Sequence, residues 1–450
     1  MTHTYKLILP ILFVVISWCM PAPVEGEEVS VTPEKGALQR AIASAKEGDE
    51  LVLTPGVYNE KIKINKSLKI KGKQGVVIDG GGEGNVIVIK APNVRLENIE
   101  IQNSGSLKQE AGIRIEGDRA QIISNSLQRV HYGIYIAKAD AVQIIDNQII
   151  GDDTHFSKRG NGIHLFHATH TTIAENNISH VQDGIYFDFA KNTAVTKNEI
   201  TNARYAVHLM FSEKAAVSEN KLSNNINGLM VMSTKYVDIF HNDILKNLHF
   251  RGYGVLLYET DDVTLQDNRI ISNSTGLALQ YSEGSLVRSN VIAGNHVGIE
   301  LTGENVDTSL MKNNVIGNVI QLQEKAIKED VRIESSGNYW DDYRGGDLNG
   351  DGFGEIPYQA SEALTDRNPY FQFYFESPAL MLQQRISRML PVREESSLIE
   401  EKPSVSPNDL YKTTPEAVPG SFPFEVFIVG VISTLGSLGI FYSGRRKQRV

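Results

Sequence analysis

Residues 184–200 read Gly-Ile-Tyr-Phe-Asp-Phe-Ala-Lys-Asn-Thr-Ala-Val-Thr-Lys-Asn-Glu-Ile, and the pattern returns 22 residues on, from Ala206 through Val207-His208-Leu209-Met210 to Asn220 and Leu222. A small residue followed by alternating apolar positions recurs at Gly133, Gly162, Gly184, Ala206, Gly228, Gly254, Gly276 and Gly298, in steps of 29, 22, 22, 22, 26, 22 and 22. Fourteen residues after each of the first seven stands an asparagine, at 147, 176, 198, 220, 242, 268 and 290, with Ile or Leu two positions beyond it. Weaker copies run back through Gly112 and Gly84. Period-2 alternation inside a 22-residue unit means short strands, one turn of chain per repeat. Stacked turns pair in parallel at about 4.8 Å per rung, so the fold class expected is all-β, a right-handed parallel β-helix over residues 27–335. Inward residues such as Ile185 and Phe187 stack into one core. The asparagine column reads as an internal ladder, each amide bonding the next rung at a corner, and is structural.

Within each strand the residues between the apolar ones point outward. The first outward column is Tyr135, His164, Tyr186, His208, Met230, Leu256, Ala278 and Glu300; the second is Ala137, Phe166, Asp188, Met210, Met232, Tyr258, Gln280 and Thr302. A face that met only water would be polar, and an apolar strip of this length marks an interaction site, with Phe166, Tyr186, Leu256 and Tyr258 as interface residues. His208 and Met230 are one rung apart, as are Met210 and Met232, so side chains from neighbouring rungs converge. Thioether and imidazole suit Cu(I), which makes His164, His208, Met210, Met230 and Met232 the candidate copper ligands. The bland alternative is that methionine and aromatic side chains bury against a partner. The two rungs longer than 22 residues carry Thr154-His155-Phe156 and Leu248-His249-Phe250 at the same corner, placing His155 and His249 as lid ligands.

The chain has 450 residues, 22% charged and 41% apolar, a globular composition that excludes wholesale disorder. Between residues 27 and 444 there are 39 cationic and 53 acidic side chains, which excludes a nucleic-acid binder. Cys19 is the single cysteine, so neither a disulfide nor a thiolate metal cluster can form within the chain. Lys6 precedes an apolar run from Leu7 to Met20, and residues 1–26 read as a secretory signal peptide. At the other end, residues 424–442 are apolar enough to span a bilayer, and the basic tail 443–450 stays cytoplasmic. The protein is therefore expected outside the cytoplasm, anchored to the membrane by its tail. Residues 393–423, rich in Pro, Ser and Glu, read as a linker. Residues 336–392 read as a C-terminal cap and docking segment. In it Leu382 and Ile386 form the apolar face of an amphipathic stretch from Pro378 to Leu390, which either docks on a membrane partner or folds back as a cap. Gly36 to Lys46 reads as a helix that plugs the N-terminal end of the solenoid.

A sugar-cleaving enzyme of this fold needs two carboxyls about 5 to 9.5 Å apart. Asp188 and Glu300, the outward carboxylates, stand five rungs or roughly 24 Å apart. The reading is therefore a non-enzyme, with a carbohydrate-binding or polysaccharide-processing β-helix as the alternative. Beyond the last rung, Asp347-x-Asn349-x-Asp351-Gly352 opens like a calcium loop, but Tyr358 stands where a bidentate Glu is needed, so only a weak calcium site or an Asx-rich turn fits.

The opening of the chain, from the helix through Leu51-Val-Leu-Thr-Pro-Gly-Val-Tyr58, resembles the pectin-lyase-like β-helices, including their carbohydrate-binding and sugar-hydrolase subgroup, over about residues 33–320. The ending is more specific. Asn338-Tyr-Trp-Asp-Asp-Tyr343, then Gly350-Asp-Gly-Phe-Gly-Glu-Ile-Pro-Tyr358 and Ser377-Pro-Ala-Leu-Met-Leu382, resembles the NosD family over nearly all of residues 27–392. The strands Val207-His-Leu-Met-Phe211 and Leu229-Met-Val-Met232 look like that family's Met-bearing rungs. The resemblance implies an extracytoplasmic accessory protein for maturation of the copper enzyme nitrous oxide reductase. It also implies work with an ABC transporter, permease plus separate ATPase, and handling of copper or sulfur for the reductase or a copper chaperone. No phosphate-binding Gly-rich Lys motif occurs in this chain, so the ATPase is another polypeptide.

Overall fold

The computed structural model describes residues 26–107, 109–152, 154–325, 334–359 and 398–410. The signal-peptide residues 1–25, the docking residues Leu382 and Ile386, the span 424–442 and the tail 443–450 lie outside them. Among the described residues no helix is long and apolar enough to cross a membrane.

One turn illustrates how the repeat folds. Asp183–Asp188, Lys191–Thr196 and Glu199–Thr201 are its three strands, and each pairs in parallel with the strand 22 residues on. Repetition builds three parallel sheets of 14, 13 and 12 strands, a β-helix of about 14 turns. Register sets Ile185 on Val207, Phe187 on Leu209, Val195 on Val217 and Ile200 on Leu222, all fully buried in one continuous core. Burying each such side chain contributes about 1.5–3 kcal/mol. Glycine stands second in this strand, at Gly184, because of crowding: a Cβ there would stand 2.4 Å from the Ala206 carbonyl oxygen and 2.5 Å from Ile200 Cγ2.

The corners explain the asparagines. Lys197, Glu219, His241, Asp267 and Ser289, each just before a ladder Asn, have φ of 55°, 55°, 57°, 54° and 54°. That left-handed turn costs about 1–2 kcal/mol for a non-glycine residue. The next side chain offsets it. Asn198 Oδ1 accepts the backbone N–H and Nδ2 of Asn176 at 3.0 and 2.9 Å, while its own Nδ2 donates to the Ile173 and Thr196 carbonyls at 3.0 Å. Asn198 in turn donates to Asn220, and the ladder continues from Asn125 to Asn338. A second ladder, unforeseen from sequence, starts five residues further along at Asn225 and runs through Asn247, Asn273 and Asn295 to Asn318.

The N-terminal helix is Ala37–Ser44, with Leu38 and Ile42 buried in the main core and the Leu38 and Gln39 amides donating to the Glu60 carboxylate. Residues 398–410, inside the span read as a linker, are fastened to the last rungs. Ile399–Glu400 pairs antiparallel with Tyr358–Gln359, and Asn408 bonds Asn314. The reason is chemical. Glu400 occupies the position of the next ladder residue, accepting the Asn338 backbone N–H at 2.7 Å and its Nδ2 at 3.1 Å, with Trp340 Nε1 at 2.7 Å and Ser335 Oγ at 2.8 Å. The Asn-Tyr-Trp signature is thus where the asparagine ladder ends on a carboxylate.

Candidate functional site

The outward strip lies on the 12-stranded sheet. Tyr135, His164, Tyr186 and His208 occupy successive rungs with ring centroids 4.8 Å apart at each step. Met230, Leu256, Ala278 and Glu300 continue the column. The expectation that this column meets solvent is corrected: Tyr135, His164, His208, Met230 and Leu256 are at most 8% exposed. Large side chains at rung spacing cover one another, and Tyr132, Tyr205 and Tyr253, three residues earlier on their strands, pack over His164, His208 and the Met230–Leu256 cluster. The second column, with Phe166, Asp188, Met210, Met232 and Tyr258, is half-buried.

The two histidines of the strip differ chemically. Asp183, the first residue of its strand, is fully buried, and its Oδ2 takes His208 Nδ1 at 3.1 Å. Arg204 closes on the same carboxylate with two bonds, at 2.9 and 2.8 Å. Burial works to raise the Asp183 pKa, but the hydrogen bonds and charges of His208 and Arg204 hold it below the usual carboxylate range. An ionised carboxylate accepts only, so His208 carries its proton on Nδ1 and turns the Nε2 lone pair outward. That Nε2 is buried and has no hydrogen-bond partner among the described residues. A carboxylate that fixes the tautomer of an imidazole is the usual support behind a metal-ligating histidine.

His164 is arranged the opposite way. Asn161 Oδ1 is engaged by the Asp183 N–H at 3.2 Å, which turns Asn161 Nδ2 onto His164 Nδ1 at 3.1 Å. The imidazole therefore accepts at Nδ1 and carries its proton on Nε2, 3.9 Å from Asp188 Oδ2. It stands in the strip as a donor with no lone pair left to offer.

In register, His208 pairs with Met230 and Met210 with Met232. Met230 is buried, and Met210 Sδ accepts the Tyr186 hydroxyl at 3.4 Å, leaving one sulfur lone pair. Burial, then the charges of Asp188 and Asp183, push the Tyr186 hydroxyl up to about 12, so it stays a donor. The residues present fit a soft monovalent cation: one imidazole nitrogen and thioethers from adjacent rungs, with Asp183 matched by Arg204 and the Asp188 carboxylate in register with Met210.

The inserted loops fall elsewhere. His155 lines a corner cavity with His180 and Arg159, and its Nδ1 is engaged by Ser157. His249 accepts the Arg251 N–H beside the exposed Leu248 and Phe250. Among the described residues no group of three His, Cys, Asp or Glu could hold a metal. In the calcium-like loop, Asp347 Oδ1 takes the Gly350 and Asp351 amides and Oδ2 takes that of Gly352, while Asn349 and Asp351 accept from residues two further on. Those bonds, the Gly352 amide first, hold the Asp347 pKa low and form an Asx turn. Glu300 is buried on Lys325 Nζ at 2.8 Å, so it is unavailable to any partnership with Asp188.

A β-helix with a pinned imidazole beside stacked methionines defines a repeat-built binding protein, and comparison places it more closely. A family model described as "Periplasmic copper-binding protein (NosD)" matches residues 145–345. A Pseudomonas aeruginosa protein named "Probable ABC transporter binding protein NosD" is 37% identical over 364 residues, covering 76% of this chain and 84% of the relative. A Stutzerimonas stutzeri protein of the same name is 36% identical over 379 residues, 78% and 85% of the two chains. The chain belongs to the NosD family, whose relatives are named as binding proteins rather than enzymes. Among solved structures, an alginate lyase of family PL6 in complex with a trisaccharide superposes with a TM-score of 0.55 at 12% identity, over 72% of this chain and 87% of that one, which shows the fold alone.

Proposed function

We propose that this protein holds Cu(I) on the His208–Met strip outside the cytoplasm and works with an ABC transporter, permease plus ATPase, in the maturation of nitrous oxide reductase. The observation that carries the reading is His208 Nε2: a buried lone pair, its tautomer set by Asp183, one rung from Met230 and beside Met210 and Met232. His208, Met230, Met210 and Met232 are the ligands in this reading. His164 shapes the strip, and Phe166, Tyr186 and Tyr258 meet the protein that delivers or receives the ion, over the buried Leu256. Copper is here the cargo, so a site of few soft ligands near the surface suits release as well as capture. The helix Ala37–Ser44 closes the first rung, and the sequence around Leu382 and Ile386 docks on the permease that the tail 424–442 keeps nearby. Deleting the gene tests the role: the reductase should then lack copper and activity. A fully loaded, active reductase in the deletion strain would remove the maturation role and leave the glycan-handling alternative.

A further inference from the structure

We infer that the corner cavity under the first insertion is a binding site for a carboxylate or another small oxyanion. The cavity measures about 300 Å³ and is lined by His155, Phe156, Arg159, His180 and Asn202, none of them on the His/Met strip. Arg159 is clamped at one end, its Nη1 donating to the Asn202 carbonyl at 3.0 Å. Its Nε is buried without a hydrogen-bond partner among the described residues, and so is His180 Nδ1. A guanidinium is always protonated, so Nε–H is a charged donor held in place with nothing to donate to. His155 adds a third donor: its Nδ1 accepts the Ser157 N–H at 3.3 Å, which leaves the proton of the neutral ring on Nε2.

Among the described residues the lining thus combines a fixed guanidinium and imidazoles with no carboxylate. Asp152, the acidic residue described on the same loop, acts on His131 in the preceding rung instead. A cation is repelled by Arg159, and an uncharged ligand would leave the guanidinium uncompensated. An oxyanion offers acceptors to the Arg159 Nε–H and to the imidazole N–H groups that line the same cavity, and guanidinium–carboxylate pairing is the strong, directional form of that contact. The site also has a position. His180 precedes the strand Asp183–Asp188 and Asn202 precedes Tyr205–Met210, so the cavity stands at the head of the two rungs that carry Asp183 and His208.

The same chemistry is available from a free anion or from an acidic side chain of another protein, and two arms of one experiment separate them. The exported protein is titrated calorimetrically with acetate, phosphate and sulfate, and separately with an acetylated glutamate-rich peptide, at constant ionic strength against chloride. Thermal unfolding is followed in parallel, since a ligand of the folded state at about 100 times its Kd stabilises measurably. Saturable binding of at least one ligand is expected, with affinity at least tenfold weaker in Arg159→Gln and several-fold weaker in His180→Gln. Preference for the free ions assigns a small-anion site; preference for the peptide assigns an acidic partner. Responses no greater than chloride, or affinities unchanged in both variants, overturn the proposal. If Arg159→Gln fails to fold, His180→Gln, which leaves the Arg159–Asn202 bond intact, decides alone.

Discussion

His208 Nδ1 lies 3.1 Å from Asp183 Oδ2, and the same carboxylate receives Arg204 through two bonds. These residues come from different rungs, so the imidazole that fronts the methionines is oriented by a neighbouring turn of the solenoid. Asp183 and Arg204 touch no cargo in this account. They are positioning residues, and their effect is exerted through His208.

Asp183→Asn tests that role. An asparagine turns either an amide donor or a carbonyl toward Nδ1, so the tautomer is no longer set and Arg204 loses its charged partner. Cu(I) affinity is expected to fall about 10–100-fold, as for other losses of support behind a metal ligand. Unfolding should cost no more than about 3 kcal/mol, the low end for a broken buried pair, because Arg204 is partly solvated. A histidine-selective NMR experiment reads the tautomer directly, which a purely structural loss would leave unchanged.

The ladder should fail locally. Asn220→Ala removes the acceptor of the Asn198 N–H and Nδ2 and the donor to the Val195 and Ser218 carbonyls. Each buried group left unpaired costs about 1–3 kcal/mol, so the variant should lose several kcal/mol. Stability in a solenoid is summed from neighbouring repeats. Hydrogen exchange should therefore accelerate most in the rungs around Asn198 and Asn242, with the rungs near Leu51 little changed.

Two of the buried carboxylates, Glu400 and Asp183, predict opposite pH dependence. Burial raises the Glu400 pKa above 4.5 despite the bonds from Trp340, Ser335 and Asn338. The folded state then binds more protons than the unfolded one, so stability from this group is full below pH 4.5 and declines as pH rises through the raised value. Asp183 is lowered below 3.8, so its contribution is full above that pH and is lost as pH falls through the lowered value. Hydrogen exchange at Asn338 across pH should show the first trend in the native protein and not in Glu400→Gln. Denaturation below pH 3.8 should show the second, absent from Asp183→Asn.

Most of the solenoid was legible because glycine and asparagine columns carry local chemistry at fixed spacing. The second ladder was not, because its column holds Val181 and Ala203 before Asn225, so the period is broken halfway along the chain. The pairing of Asp183 with His208 was not legible, because Asp183 stands before the outward column. A sign was present nonetheless: the residue preceding each recurring Gly or Ala is Tyr132, Asn161, Asp183, Tyr205, Asn227, Tyr253, Thr275 or Val297, with Asp183 the one acid. The strip was read correctly as a column but wrongly as exposed, since alternation gives direction and says nothing of how rings cover one another. Glu400 lay in a stretch of linker composition, and its bond to Trp340 spans 60 residues with no periodic signal to mark it.

The central claim is that His208 and the methionines hold Cu(I), and competition titration against a Cu(I) chelator tests it most directly. Met210→Leu with Met232→Leu conserves volume and should cost under about 1.5 kcal/mol of stability, so folding is retained. His208→Gln removes the nitrogen ligand separately. The account predicts one Cu(I) per wild-type chain, affinity reduced at least tenfold in the double methionine variant, and a comparable loss in His208→Gln. Undiminished Cu(I) affinity in both folded variants would contradict it and return the strip to a surface that binds protein alone.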